Sequence, residues 1–259
     1  MIEIFTSINK NYDKQARRIL RKTNKSWNVL KLENTLRKDN TASDYWVWKK
    51  VYPSTIYFLC NHPYIQTLLL LAKKSIIING KYYELGINKK DMFKRLSELN
   101  LKTKTPPFIE NYKNYPAEFL PIYVKANNHE GITFKATSLA MIEGFEMGVN
   151  INDYYFEPDI SSASSKEIKI FYVDEQFIPA DENIDEFKLA KSYNPELLSD
   201  LSHFIKELKL DVCSFDLIFD KERQYVVDIN PSPAFYSSKK AADTFSKYLV
   251  KRDFLVDKG

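Results

Sequence analysis

Glycine is scarce, with 6 in 259 residues. Neither G-x-G-x-x-G nor G-x-x-x-x-G-K-[ST] occurs, which excludes both the dinucleotide-binding turn and the P-loop cradle, since each needs glycine where backbone must approach phosphate. Cysteine is rarer still: Cys60 and Cys213 stand far apart without metal-ligand spacing. That excludes a disulfide scaffold and predicts a reduced, cytoplasmic protein. Long apolar runs are missing too. The longest, around residues 67–72, is far too short to cross a bilayer, and the first five residues lack a basic segment leading into an apolar one, so neither membrane nor leader is expected. No basic cluster stands out among 38 Lys and Arg against 34 Asp and Glu. A net charge of +4 spread along the chain suits anionic small molecules and gives no footprint for nucleic acid.

With 44% hydrophobic and 28% charged residues, the chain has the composition of an ordinary globule and ample length for a core, as one large domain or two to three small ones. Its first third alternates short apolar runs with helical patterns. Strands are expected at 2–5, 45–48, 56–59 and 75–78. Helices are expected from Asp13 through Ala16, Ile19 and Leu20, and over 64–73. This alternation implies a small, mostly parallel sheet. His62 and the neighbouring tryptophans suit core or loop packing better than a pocket. Asn88 with Asp91 caps a helix carrying Met92, Leu96 and Leu99. Residues 117–126 and 132–136 read as strands joined by a polar loop ending at Gly131. Residues 138–147 read as a helix, and 153–160 as a strand broken at Pro158. A Ser-rich link at 161–165 leads to a strand over 167–173. Asn194-Pro195 reads as a helix cap followed by an N1 proline, and Ser237 or Ser238 caps a last helix. Lys125 ends an otherwise apolar run, so its ammonium either snorkels to solvent or reaches an anion.

The most informative stretch is a hairpin: two apolar runs, 212–219 and 224–229, flank a polar 220–223 turn. Alternation puts Val212, Ser214, Asp216 and Ile218 on one side of the first strand, and Val226, Asp228 and Asn230 on one side of the second. If the turn closes symmetrically about Glu222, Asp216 lies opposite Asp228. Like charges so placed need a neutralising partner. With Asn230 nearby, the all-oxygen set suits Mg²⁺ completed by waters and phosphates. A one-residue slip would separate the two acids.

The order of these features resembles the ATP-grasp superfamily, in its glutathione-synthetase-like and ribosomal-protein glutamate-ligase-like branch. The residues that carry the likeness are Lys90 before a helix, Lys125 followed by the Gly131 loop, the 156–160 segment, the strand around Lys169, and Asp216 with Asp228-Ile-Asn230-Pro-Ser-Pro. The resemblance implies an α/β (α+β) fold in which two subdomains enclose ATP, preceded by a small α/β N-terminal domain, with boundaries at 1–86, 87–155 and 156–259. It implies ATP and Mg²⁺ (or Mn²⁺) as cofactors, with Lys90, Lys125 and Gly131 at the phosphates and Phe156, Glu157 and Asp159 at adenine and ribose. Asp216, Asp228 and Asn230 would hold the metal, and Lys169, Asp228 and Asn230 would act in catalysis. The implied reaction joins a small-molecule or peptide carboxylate to an amine through an acyl phosphate. Two alternatives stay open: an ATP-grasp kinase acting on a hydroxyl, for instance of an inositol phosphate, and a nucleotide-binding regulator without turnover. A homo-oligomer is compatible with the sequence. Two departures from the family pattern stand out, a lysine at 169 where an arginine is common and Ala234 where glycine follows Ser-Pro.

Overall fold

A computed structural model describes residues 1–6, 10–31, 54–59, 65, 66, 69, 72, 75–127 and 132–256. The strand expected at 45–48, most of the helix expected at 64–73, His62, Cys60 and Gly131 lie outside them.

The chain opens as a parallel sheet. Strands β1 (Ile2–Thr6), β2 (Trp27–Lys31), β3 (Thr55–Leu59) and β4 (Ile76–Ile77) lie in the order β2-β1-β3-β4. Every residue of β1 and β3 is buried, as expected for inner parallel strands covered on both faces. Helix α1 (Lys10–Leu20) begins three residues before the expected cap. Asp13 instead lies in its first turn, taking a hydrogen bond from the Thr6 hydroxyl at 2.5 Å, and Ala16, Ile19 and Leu20 are buried as anticipated.

A short helix α2 (Gly80–Tyr83) leads to α3 (Lys89–Ser97), where the Asn88 side chain accepts from the Asp91 amide at 2.8 Å and Met92, Phe93 and Leu96 are buried. The second sheet is antiparallel, with β5 (Ile122–Ala126) between β6 (Thr133–Ala136) and β7 (Tyr154–Pro158). Residues 117–119, expected as strand, form a 3-10 turn between Pro116 and Pro121, where missing backbone donors disfavour a ladder. One face of this sheet (Ile122, Val124, Ala136, Phe156) meets Ile142 of α4 (Leu139–Glu146) in a core of its own.

The third sheet has the order β11-β10-β8-β9, built from β8 (Lys166–Val173), β9 (Gln176–Pro179), β10 (Val212–Phe219) and β11 (Gln224–Asn230), all antiparallel. Helices α5 (Ile184–Tyr193) and α6 (Leu197–Leu208) lie between β9 and β10 in sequence. Asn194 does not cap α6. Its buried amide is aimed at Thr103 (3.1 Å), Asp200 (3.2 Å) and Gln224 (3.2 Å), fastening the start of β11 to the 103–105 segment. Sheets one and three share two cores. Phe5, Ile56 and Phe58 join Ile168, Phe215 and Ile229 in one, while Ile4, Tyr57 and Leu59 join Phe171, Phe235 and Phe245 in the other. The last helix, α7 (Lys239–Val256), packs in the second of these, and the Ser238 hydroxyl accepts from the Ala241 amide at 3.2 Å as a cap. Among the described residues, no helix is long and apolar enough to cross a membrane.

Candidate functional site

The β10–β11 hairpin places Asp216 directly opposite Asp228, as the sequence suggests, but by another route. The turn closes with Phe219 against Gln224 and Leu217 against Val226, one residue short of symmetry about Glu222. A β-bulge then inserts Val227, and pairing resumes at Asp216–Asp228 and Ser214–Asn230. A bulge sets two residues against one and changes which face follows. Val226 therefore joins Ile229 in the core while Asp228 and Asn230 face the other way, which corrects the expectation that Val226, Asp228 and Asn230 share a side.

On β8, Lys169 pairs with Asp216, so Lys169, Asp216 and Asp228 form a row across three strands. The Lys169 ammonium lies 2.6 Å from Asp216 Oδ1, and that of Lys89, the first residue of α3, lies 2.6 Å from Asp228 Oδ1. The opposed carboxylates are thus neutralised by one lysine each. Facing them is the polar side of the second sheet. Strand β5 alternates, sending Ile122, Val124 and Ala126 to the core and Tyr123 and Lys125 to the cavity. Lys125 neither snorkels outward nor waits unpaired: Nζ donates to Glu157 Oε2 at 2.5 Å and to the Val227 carbonyl at 2.8 Å. The bulge is what turns that carbonyl toward β5, since a regular ladder would have no extra residue there.

These six side chains, Lys89, Lys125, Lys169, Glu157, Asp216 and Asp228, line one cavity of about 520 Å³. Burial pushes the Glu157 carboxyl above its ordinary range, with Lys125 opposing and Asp228 reinforcing the shift. Enclosure likewise raises Asp216, against the pull of Lys169. The Tyr155 hydroxyl is raised by burial and by the negative charges of Glu157 and Asp228. Glu157 Oε1 and Ser214 Oγ are buried without a hydrogen-bond partner among the described residues.

Other residues singled out in the sequence fall elsewhere. Phe156 points away from Glu157, 4.9 Å from the Tyr112 ring in the small core, and with Lys90 it borders a separate cavity of about 210 Å³. Asp159 is paired with Lys135 at 2.5 Å, beside Pro158 and Ile160 on the main cavity wall. Asn230 Oδ1 accepts from the Ser232 amide at 2.8 Å. Lys89 escapes the sequence reading, although the helical phase of Met92, Phe93 and Leu96 carries the signal: residue 89 falls three, four and seven positions before them, on the inward stripe. Nor does Ala234 take up the conformation that favours glycine. The left-handed residue is Phe235, at φ 57°, held by stacking at 4.9 Å on Phe245.

Chemically, three ammoniums line the cavity with two opposed carboxylates that offer only oxygen to a hard cation, while the Asn230 amide oxygen is taken by the Ser232 amide. The donor set fits Mg²⁺. Among the described residues no group of three His, Cys, Asp or Glu side chains is gathered to hold a metal, so a cation here would complete its shell from water and phosphate oxygens, as Mg²⁺ ordinarily does.

Neither a protein-family model nor a curated protein matches the chain. Solved structures do. The D-alanine–D-alanine ligase from Bacillus anthracis complexed with ATP superposes with a TM-score of 0.68 at 14% identity, over 99% of this chain and 98% of that one. The RimK domain protein ATP-grasp from Sphaerobacter thermophilus DSM 20745 gives 0.68 at 9% identity, over 96% and 100%. The ATP-grasp ligase PsnB complexed with minimal precursor, Mg and ADP gives 0.63 at 12% identity, over 97% of each chain. Likeness at such identities is likeness of fold, and here it runs through all three sheets: this protein has the ATP-grasp fold.

Proposed function

We propose that the chain is an ATP- and Mg²⁺-dependent ligase that joins a carboxylate to an amine through an acyl phosphate. The observation that carries this reading is the cavity between the second and third sheets, where Lys89, Lys125 and Lys169 converge on the opposed pair Asp216 and Asp228. Phosphoryl transfer asks little covalent work of a protein and much positioning of charge. Lys125, Lys89 and Lys169 supply cations for the phosphates, Lys89 taking the place for which Lys90 was the sequence candidate. Asp216 and Asp228 would hold Mg²⁺, with Asn230 joining once its oxygen leaves the Ser232 amide; the ion would supply positive charge for the transferring phosphoryl group. The wall at Pro158 and Ile160 receives adenine and ribose. A substrate carboxylate oxygen bonds to the γ-phosphorus as ADP leaves, and the amine nitrogen then bonds to the acyl carbon as phosphate leaves. Two of the structural neighbours are complexes with ATP, or with ADP, Mg and a precursor, which supports nucleotide binding and a small-molecule or peptide acceptor.

The test is to incubate the protein with Mg-ATP and a panel of carboxylates paired with amines, following ADP release and product mass. ADP with a new amide supports the ligase. Phosphate appearing on a hydroxyl, or bound ATP left intact across the panel, overturns it.

The bulge offers a narrower check. Deleting Val227 leaves Val226 followed directly by Asp228, so a regular ladder keeps Asp228 opposite Asp216 while the carbonyl that holds Lys125 is lost. A hydrogen bond from a charged donor contributes roughly 1.5–3 kcal/mol. The variant is expected to fold with the hairpin intact and to bind Mg-ATP at least about tenfold more weakly by calorimetry. Unchanged affinity would show that the bulge carbonyl does not set the position of Lys125.

A further inference from the structure

At the centre of the cavity three lysines are matched with three acids, while Glu167 and Glu182 also line its wall. Lys89, Lys125 and Lys169 stand against Glu157, Asp216 and Asp228, each ammonium within 2.6 Å of a carboxylate oxygen. Two of those ammoniums lie on the Oδ1 atoms of the very carboxylates that would face a metal. We infer that Lys89 and Lys169 are placeholders: without nucleotide they occupy the metal-holding carboxylates and keep a divalent cation out, and a polyphosphate admits the cation by drawing both lysines onto itself. The inference rests on the reading of this cavity as the Mg-ATP site and deepens it, because it assigns the same two lysines a role before nucleotide arrives.

Three physical features support the exchange. A dication entering between Asp216 and Asp228 would meet two ammoniums already hydrogen-bonded there, and like charges at such range repel strongly in a partly enclosed site. Among the described residues no third carboxylate joins Asp216 and Asp228 in a group that could hold a metal, so phosphate oxygens would complete the cation's shell. The exchange also preserves balance. Ammonium moves from carboxylate to phosphate and metal from water to carboxylate, so no charge is left stranded in the cavity, a condition that otherwise costs several kcal/mol. Exposure favours movement of Lys169, a third exposed; Lys89, at the first turn of α3, is as enclosed as Lys125 and is distinguished from it by lying on a metal-facing carboxylate. Lys125 is different: its second bond, to the Val227 carbonyl, fixes it in place. It is therefore a standing cation, while Lys89 and Lys169 are mobile ones.

Coupling of this kind is reciprocal. Metal and nucleotide should each bind poorly alone and well together. The experiment uses MnCl2 as probe, with free Mn²⁺ followed by electron paramagnetic resonance, for the wild-type chain, Lys169→Gln, and Lys89→Met combined with Lys169→Met. Wild type is expected to bind Mn²⁺ barely without nucleotide and to bind Mn-ADP readily. Lys169→Gln should gain Mn²⁺ affinity in the absence of nucleotide, and the double variant should gain more, by roughly 5–150-fold, the usual span of a coupling between two sites. Both variants should lose affinity for Mn-ADP. The Lys169→Gln change, at an open position, guards against a double variant that fails to fold. Wild type that binds Mn-ADP, with variants that gain nothing toward Mn²⁺ alone, overturns the placeholder role and leaves the nucleotide site standing. Wild type that binds no Mn-ADP overturns the nucleotide reading itself.

Discussion

Asp228→Asn is expected to lower Mg-ATP turnover by roughly 10²–10³-fold, the range seen when one preorganised electrostatic contact to a transition state is removed. The amide keeps the shape of the carboxylate and removes its charge, so a metal facing Asp216 would lose half of its fixed negative counterpart. Stability should hardly change. Asp228 is about a third exposed and Lys89 is mostly enclosed; the amide oxygen of the variant can still accept from Lys89, so the loss is that of one partly screened ion pair, about 1 kcal/mol. Steady-state ADP release and a urea unfolding midpoint, measured on the same preparation, separate the two effects. Asp185→Asn is a suitable control, because that carboxylate is almost wholly exposed on α5 and, among the described residues, pairs with Lys188 at 3.2 Å. Full turnover in a folded Asp228→Asn variant would remove Asp228 from the metal site.

How much of this site was legible in the sequence differs residue by residue, and the differences have physical causes. Asp216 and Asp228 stand out because charge inside an apolar strand needs a partner, but their pairing depends on register, since a one-residue slip separates them. The register itself did not follow from the sequence: the turn at 220–223 closes one residue earlier than symmetry about Glu222 requires, and the Val227 bulge restores the pairing. No residue preference marks a valine as bulged. What was knowable is that Val226 and Asp228 could not both satisfy a core face and a cavity face without one. Phe156 and Glu157 were read together as one hinge segment, although strand alternation alone sends adjacent side chains to opposite sides, and the structure divides them accordingly. The choice between Lys89 and Lys90 turns on helical phase, which the Asn88 cap makes available. The parallel first sheet was anticipated from β/α alternation, whereas β2, β9 and α5 were not, because their mixed polar and apolar residues show no clean period. The family resemblance supplied the fold that strand patterns alone would have left as generic α/β, and the structural neighbours agree with it over nearly the full chain.

Lys125→Met should produce the largest loss of stability among the cavity variants, and for a reason separate from ligand binding. Glu157 is 1% exposed, has one oxygen without a hydrogen-bond partner among the described residues, and feels the negative charge of Asp228. Its other oxygen depends on Lys125. Breaking a buried pair from one side typically costs about 3–5 kcal/mol, because the remaining charge is left in a poor solvent. The carboxyl can escape part of that cost by taking a proton, which fixes the sign of the pH dependence. Burial already holds the Glu157 carboxyl above its unfolded value of 4.5, and removing Lys125 raises it further. The native state then keeps the proton to higher pH than the unfolded chain does, so stability falls as pH rises from about 4.5 through the folded value. Lys125→Met should therefore lie closest to wild type near pH 4.5 and be most destabilised above neutrality. Adding Glu157→Leu removes the stranded charge and should restore most of the loss at pH 8, since replacing both members of a buried pair by apolar groups is often close to neutral. Nucleotide affinity should follow neither rescue nor pH. Both the single and the double variant lack the fixed ammonium and are expected to bind Mg-ATP about tenfold or more weakly, the equivalent of one charged hydrogen bond. Urea titrations at pH 5 and pH 8, with calorimetry of Mg-ATP binding at pH 8, read the two quantities independently. If affinity returned together with stability in the double variant, Lys125 would be the counterion of Glu157 and nothing more.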